Sequence, residues 1–255
     1  MDWSVFLQKA PSGGLTFLDW LLSGTAWTLL VSIFAWVIAF TLGSVIGVVR
    51  TIPLKVPRAI ATAYVEVFRN IPLLVQMFLW YFVMPELLPK EWGDWIKTEL
   101  PNLVELPFAA QFSVWEFAAA VICLGLYTAS RVAEQVRAGI ESLPVGQRNA
   151  GLAMGFTLPQ VYQYVTLPMA YRIIVPPMTS EFLTIFKNSS TALTIGVLEL
   201  TAQSRQISEY TFKTFEAFTA ATLIYIVITL TVIYLMRWLE GRVAIPGFIS
   251  KAAAH

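Results

Sequence analysis

The chain has 255 residues, of which 57% are hydrophobic and 13% charged, and its mean hydropathy is +0.67. That balance excludes an ordinary soluble domain, and a net charge of +1 excludes a basic field for nucleic acid. One cysteine, Cys123, and one histidine, His255, are too few for a zinc site built from those ligands.

Long apolar runs, without segments of alternating polarity, point to an all-α polytopic membrane protein and not a β-barrel. Residues 1–22 lack the basic start and clean apolar centre of a signal peptide. About 20 apolar residues cross the roughly 30 Å hydrocarbon core as a helix. Five candidate spans follow in order: Thr25 to Val49, a stretch within Ala59 to Met84, one from near Phe112 through Ser130, Met169 to Phe186, and Ala217 to Met236. The second carries Glu66, Arg69 and Pro72, so its first half is not expected to face lipid. The fourth contains Pro176 and Pro177, which free backbone groups and either line a path or kink the helix.

Orientation follows from lysine and arginine. Arg50, Lys55 and Arg58 follow the first span; Arg131, Arg137 and Arg148 the third; Arg237, Arg242 and Lys251 the fifth. The loop over 85–111 has two lysines against five acids, among them Glu86 and Glu105. With five spans all three basic clusters share one side. That side is expected to be the cytoplasm, with the N-terminus outside, the C-terminus inside and the 85–111 loop periplasmic. The spans carry no evident inverted repeat, which argues against an ion-coupled transporter.

The longest cytoplasmic connection, 131–168, contains "GQRNAGLAMGFTLPQVYQYVTLP". Gly155 is placed to end a helix in a left-handed conformation. Thr157 is placed to cap a second helix with Pro159 in its first turn. Val161, Tyr164 and Val165 give that helix one apolar face, and Pro168 separates it from the fourth span. Such a sharply turned pair fits a groove on another protein; a connector lying on the membrane surface fits as well.

This stretch resembles the loop of permease subunits in ATP-binding-cassette importers. The family pattern is Glu-Ala-Ala, three residues, Gly, nine residues, then Ile-x-Leu-Pro. Here Asn149-Ala150-Gly151, Gly155 and Val165-Thr166-Leu167-Pro168 keep every spacing, with Asn149 in place of the glutamate and Gly151 in place of the second alanine. "YVEVFRNIPLLVQMFLWYF", "YTASRVAEQVRAGIESLPVGQ" and "KNSSTALTIGVLELTAQS" are similar to segments of the polar amino acid subfamily, and "PELLPKEWG" to its glutamate/aspartate permeases.

The resemblance implies one transmembrane permease domain over 1–255, in the bacterial inner membrane and surrounded by its lipid. It implies a second permease, either a related chain or another copy, two ATP-binding subunits and a periplasmic binding protein. ATP and magnesium would sit on the ATPase subunits, with no cofactor and no catalytic residue in this chain. In agreement, no Gly-Lys dipeptide is present for a phosphate-cradling loop. Asn149, Ala150, Gly151, Gly155, Leu167 and Pro168 are the implied ATPase-coupling positions.

Arg131, Glu181 and Thr128 are the candidate substrate-binding set. An arginine holds a carboxylate through two parallel hydrogen bonds, and the resembled family often has an aromatic or small residue at position 131. A ladder of Arg131 with Glu134 and Arg137 explains the same spacing. Glu181 fits either a substrate ammonium or a pair with a cation such as Lys187, because an intramembrane carboxylate is paired or functional. Glu66 and Arg69 are spaced for a structural pair, and Gly43 and Gly47 for helix packing. The implied cargo is glutamate or aspartate. A glutamine importer, or a structural partner to a substrate-holding permease, remains open from sequence.

Overall fold

The computed structural model describes residues 1–11, 14–100 and 112–243; Glu105, Lys251 and His255 lie outside them. The described residues are almost entirely helical, with one isolated bridge between Lys9 and Thr16. The helices are α1 (Phe17–Val49), α2 (Lys55–Asn70), α3 (Leu73–Leu87), α4 (Val114–Glu141), α5 (Val145–Ala153), α6 (Leu167–Asn188), α7 (Leu200–Thr211) and α8 (Thr214–Val243).

Local chemistry sets the ends. Thr16 donates its amide and hydroxyl to Asp19 at 2.7 and 2.8 Å, a capping arrangement that starts α1. At about 1.5 Å per residue, α1 is roughly 50 Å long, more than a bilayer core requires. Pro72 has no N–H and restricts the residue before it, so the second sequence-derived span breaks between α2 and α3. Three helices, α1, α4 and α8, are long and apolar enough to cross a membrane, or up to four spans if the broken pair counts as one. The fourth sequence-derived span, α6, has the length at 22 residues, but Arg172, Glu181 and Lys187 lower its hydropathy.

Pro168 does not end the preceding helix. Leu158–Val161 continues through a π turn at Tyr162–Thr166 directly into α6. Proline clashes with the carbonyl four residues back, here Tyr164, and the wider turn displaces that carbonyl. The helix likewise runs through Pro176 and Pro177.

The chain divides into two compact units. The first comprises residues 1–37, 71–126 and 184–231. Its core joins Val5, Phe17, Trp20 and Leu21 to Leu200, Ile207, Ala217 and Ala221. Trp27 is 1% exposed and packs edge-on against Phe112 and Phe117. Cys123 is buried and free, a packing residue. The second unit comprises residues 38–70, 127–183 and, of the described residues, 232–243. There Gly43 and Gly47 let α1 approach α4 closely. A Cβ at Gly43 would stand 2.7 Å from Val132, and one at Gly47 2.6 Å from Val136.

Candidate functional site

All the sequence-derived site residues fall in the second unit. Arg131 on α4 and Glu181 on α6, fifty positions apart, form one ion pair. Arg131 Nε donates to Glu181 Oε2 at 2.6 Å and Nη2 to Oε1 at 3.2 Å. The contact is two-pronged, the geometry a guanidinium would also offer a free carboxylate. The Glu181 side chain is 7% exposed, whereas that of Arg131 remains 41% exposed. Two of the arginine's five N–H donors serve Glu181. Thr128 is buried on α4, one turn before Arg131. Glu181 therefore takes Arg131, not Lys187, as its cation, and Arg131 stands outside the ladder with Glu134.

Glu134 serves a different cluster. It accepts from Arg50 Nη1 at 2.6 Å, lies 3.5 Å from Arg69 Nη1, and pairs with Arg137, which also holds Glu141 at 2.6 Å. Arg69 thus turns to Glu134 and not to Glu66, whose carboxylate accepts from Asn70 at 3.3 Å. Helical spacing revealed only the Glu134–Arg137–Glu141 part. The remaining partners, Arg50 just past the end of α1 and Arg69 on α2, leave no local signal.

The loop motif is built as the glycine predicted. Gly155 has φ +88°, its N–H bonds Leu152 O at 3.0 Å, and Phe156 N–H bonds Gly151 O at 3.2 Å. This pair of bonds closes α5 in a Schellman arrangement. Thr157 donates its amide and hydroxyl to Gln160 Oε1 at 2.8 and 2.9 Å, starting the next helical turn. Gly151 is buried; a Cβ there would stand 3.1 Å from Val161, so the missing methyl lets the two helical pieces pack. Asn149, Ala150, Gly155 and Pro168 are exposed, and Leu167 is half-buried. Val145, Leu152, Met154 and Tyr164 add exposed apolar surface around the bend. Residues 131–141 of the connection belong to α4, so the turned part begins after Glu141.

The first unit holds a carboxylate that the sequence reading passed over. Glu199 is fully buried and caps α7, accepting from Thr201 N at 3.0 Å and Ala202 N at 2.8 Å. Tyr225 Oη donates to it at 2.9 Å and Thr28 Oγ1 lies at 3.5 Å. Its position just before a helix was the available signal. No group of three or more possible metal ligands gathers among the described residues.

Residues 39–245 match the family of binding-protein-dependent transport system inner membrane components. The chain is 50% identical over 247 residues to the glutamate/aspartate import permease protein GltJ of Escherichia coli strain K12, covering 96% of each. It is 32% identical to the probable glutamine ABC transporter permease protein GlnM of Bacillus subtilis strain 168, covering 84% of this chain and 89% of the other. Among solved structures, that of an amino acid ABC transporter with histidines aligns with a TM-score of 0.71 at 29% identity, over 89% of this chain and 95% of that one. The MetNI methionine ABC transporter shares the fold, with a TM-score of 0.64 at 18% identity. With the loop motif on its spacing and an ion pair joining α4 to α6, the chain belongs to the binding-protein-dependent transport system inner membrane component family, as a multi-pass permease subunit.

Proposed function

We propose that this permease imports acidic amino acids, glutamate and aspartate, as part of an ATP-driven complex. The observation that carries the reading is 50% identity, over nearly the full length of both chains, to a glutamate/aspartate import permease. The probable glutamine permease is far less similar, at 32%. Five crossings, with the N-terminus outside and the C-terminus inside, put the α5 bend in the cytoplasm. Separate ATPase subunits dock there and hydrolyse ATP with magnesium, a periplasmic binding protein delivers substrate opposite, and a second permease completes the path.

In this reading Arg131 receives the substrate side-chain carboxylate while Glu181 orients the guanidinium. Thr128 backs the same face of α4. The α5 bend carries the ATPase motion to the spans, a coupling between two sites with two global states. The test is uptake of labelled glutamate by the complex reconstituted with its binding protein, in competition with aspartate and glutamine. Displacement by aspartate but not glutamine is expected; equal displacement by glutamine would remove the acidic specificity. For orientation, a cysteine at exposed Glu91 is expected to react with an impermeant reagent from outside. One at exposed Gly146 is expected to react only after the membrane is opened, and the reverse pattern would invert the topology.

A further inference from the structure

A pocket in the second unit lies apart from the Arg131–Glu181 pair. It has a volume of about 250 Å³ and is lined by Arg50, Arg58 and Arg148, with Glu141, Gln147 and Tyr162 among the other walls. Arg50 is already paired with Glu134 at 2.6 Å and Glu141 with Arg137 at 2.6 Å, which leaves Arg58 and Arg148 as the lining cations without an ion pair among the described residues. The site has an unspent cationic surplus. Arg50 is 7% exposed and its Nε is buried with no hydrogen-bond partner among the described residues. A buried donor of a charged group left unpaired costs free energy that a bound anion would recover. Gln147 also has a buried unpartnered side-chain oxygen, and its amide presents two donors when turned.

The volume is below the roughly 300–1,000 Å³ of sites for drug-sized ligands, so the occupant is a small charged group. What adjoins the pocket identifies its source. Tyr162 also lines an apolar groove of about 560 Å³ with Val48, Ile52, Leu54, Leu158 and Leu167. Tyr162 is fixed between the two by its hydroxyl, which donates to Thr51 O at 3.0 Å. A cationic pocket beside an apolar groove, at the end of a 33-residue apolar helix, matches a phosphate head with an acyl chain attached.

We propose that this pocket binds the phosphate of an anionic phospholipid, with an acyl chain in the groove beyond Tyr162. Free inorganic phosphate offers the same head chemistry but no use for the groove. The inference does not depend on which amino acid is carried.

The test is native mass spectrometry of the detergent-purified complex, titrated with phosphatidylglycerol, phosphatidylcholine or inorganic phosphate. The wild type is expected to retain phosphatidylglycerol saturably in preference to phosphatidylcholine. Arg58 is exposed, so Arg58→Gln keeps the fold; it is expected to weaken retention about tenfold, as for one lost charge-assisted contact, and Arg58→Glu to abolish it. Exposed Leu54→Asp is expected to weaken phosphatidylglycerol while leaving phosphate binding intact. Equal retention of both lipids by wild type, or wild-type retention in Arg58→Gln and Arg58→Glu, overturns the site. Phosphate binding that Arg58→Glu removes, with lipid retention that ignores both positions, overturns the lipid and leaves a free-anion pocket.

Discussion

Glu181 and Glu199 are both buried carboxylates in a membrane protein, and their surroundings differ in kind. Glu199 is enclosed by neutral donors: two amides of its own helix start, a tyrosine hydroxyl and a nearby threonine. Its oxygens are committed to fixing the start of α7 and to hydroxyls from α1 and α8. Glu181 has one charged partner, which is itself 41% exposed. A sealed carboxylate fixes a helix end. A carboxylate that holds a half-exposed guanidinium leaves part of a cation open to a further partner. Burial alone does not separate structure from function here; the state of the partner does.

The largest expected effect breaks the sealed side. Glu199→Leu strands the Thr201 and Ala202 amides, while the Tyr225 hydroxyl keeps Thr201 Oγ1 at 3.0 Å. At about 1–3 kcal/mol for each unmet donor, the loss is on the order of 4 kcal/mol and folded protein should be scarce. Glu199→Gln keeps an acceptor and should melt close to wild type; an equally severe loss would mean that charge, not capping, matters there.

The next effect decides the open side. Arg131→Ala is expected to reduce glutamate uptake about ten- to a hundredfold per assembled complex, the worth of a charge-assisted contact. Arg131→Lys should restore only part, because an ammonium cannot make the two-pronged contact. The double variant Arg131→Ala/Glu181→Ala sharpens the point. It relieves the uncompensated buried charge, so recovery of uptake would make the pair as structural as Glu199. Continued loss keeps Arg131 on the substrate.

A smaller effect is expected at the bend. Nothing lies within 4 Å of a Cβ built on Gly155, so substitution there acts through its φ of +88° alone. Gly155→Asp should cost about 1–2 kcal/mol of local strain, leave the protein inserted, and lower uptake per ATP hydrolysed. Gly155→Asn should do less, since asparagine tolerates that conformation better. A wild-type ratio in Gly155→Asp would detach the bend from coupling.

The smallest effect concerns an exposed carboxylate. Ser4 donates its hydroxyl to Asp2 at 2.6 Å, and this hydrogen bond holds the Asp2 carboxyl below its ordinary value of 3.8. A lowered carboxyl contributes stability above its unfolded value and loses it as pH falls through the folded one. Protection of the Ser4 amide, measured against its intrinsic exchange rate at each pH, is therefore expected to fall only below about pH 4, and Asp2→Asn to remove that dependence.

Much of the architecture was legible in local patterns. The apolar runs located α1, α4 and α8, and the glycine at 155 announced its left-handed turn. The motif spacing located the bend although its glutamate is absent. What the sequence hid was pairing between helices. Arg131 has Glu134 three residues on, yet its partner is Glu181, fifty residues away. Arg69 has Glu66 one turn back, yet it reaches Glu134. Intrahelical spacing is visible in a sequence, whereas the face that a helix turns toward its neighbour depends on contacts such as Gly43 against Val132. Pro168 misled for a related reason: a proline stops an α-helix only when the turn before it cannot widen.

That widened turn at Tyr162–Thr166 has a mechanical consequence. It holds one residue more than an α turn of the same rise. Winding it back would rotate everything beyond it by about 100° and change its reach by about 1.5 Å. Glu181 lies on that far portion, fifteen residues past Thr166. The helical run that begins at Leu158, three residues past Gly155, thus reaches the carboxylate that holds Arg131 without a break, and any change in the winding of that turn would appear as rotation at Glu181.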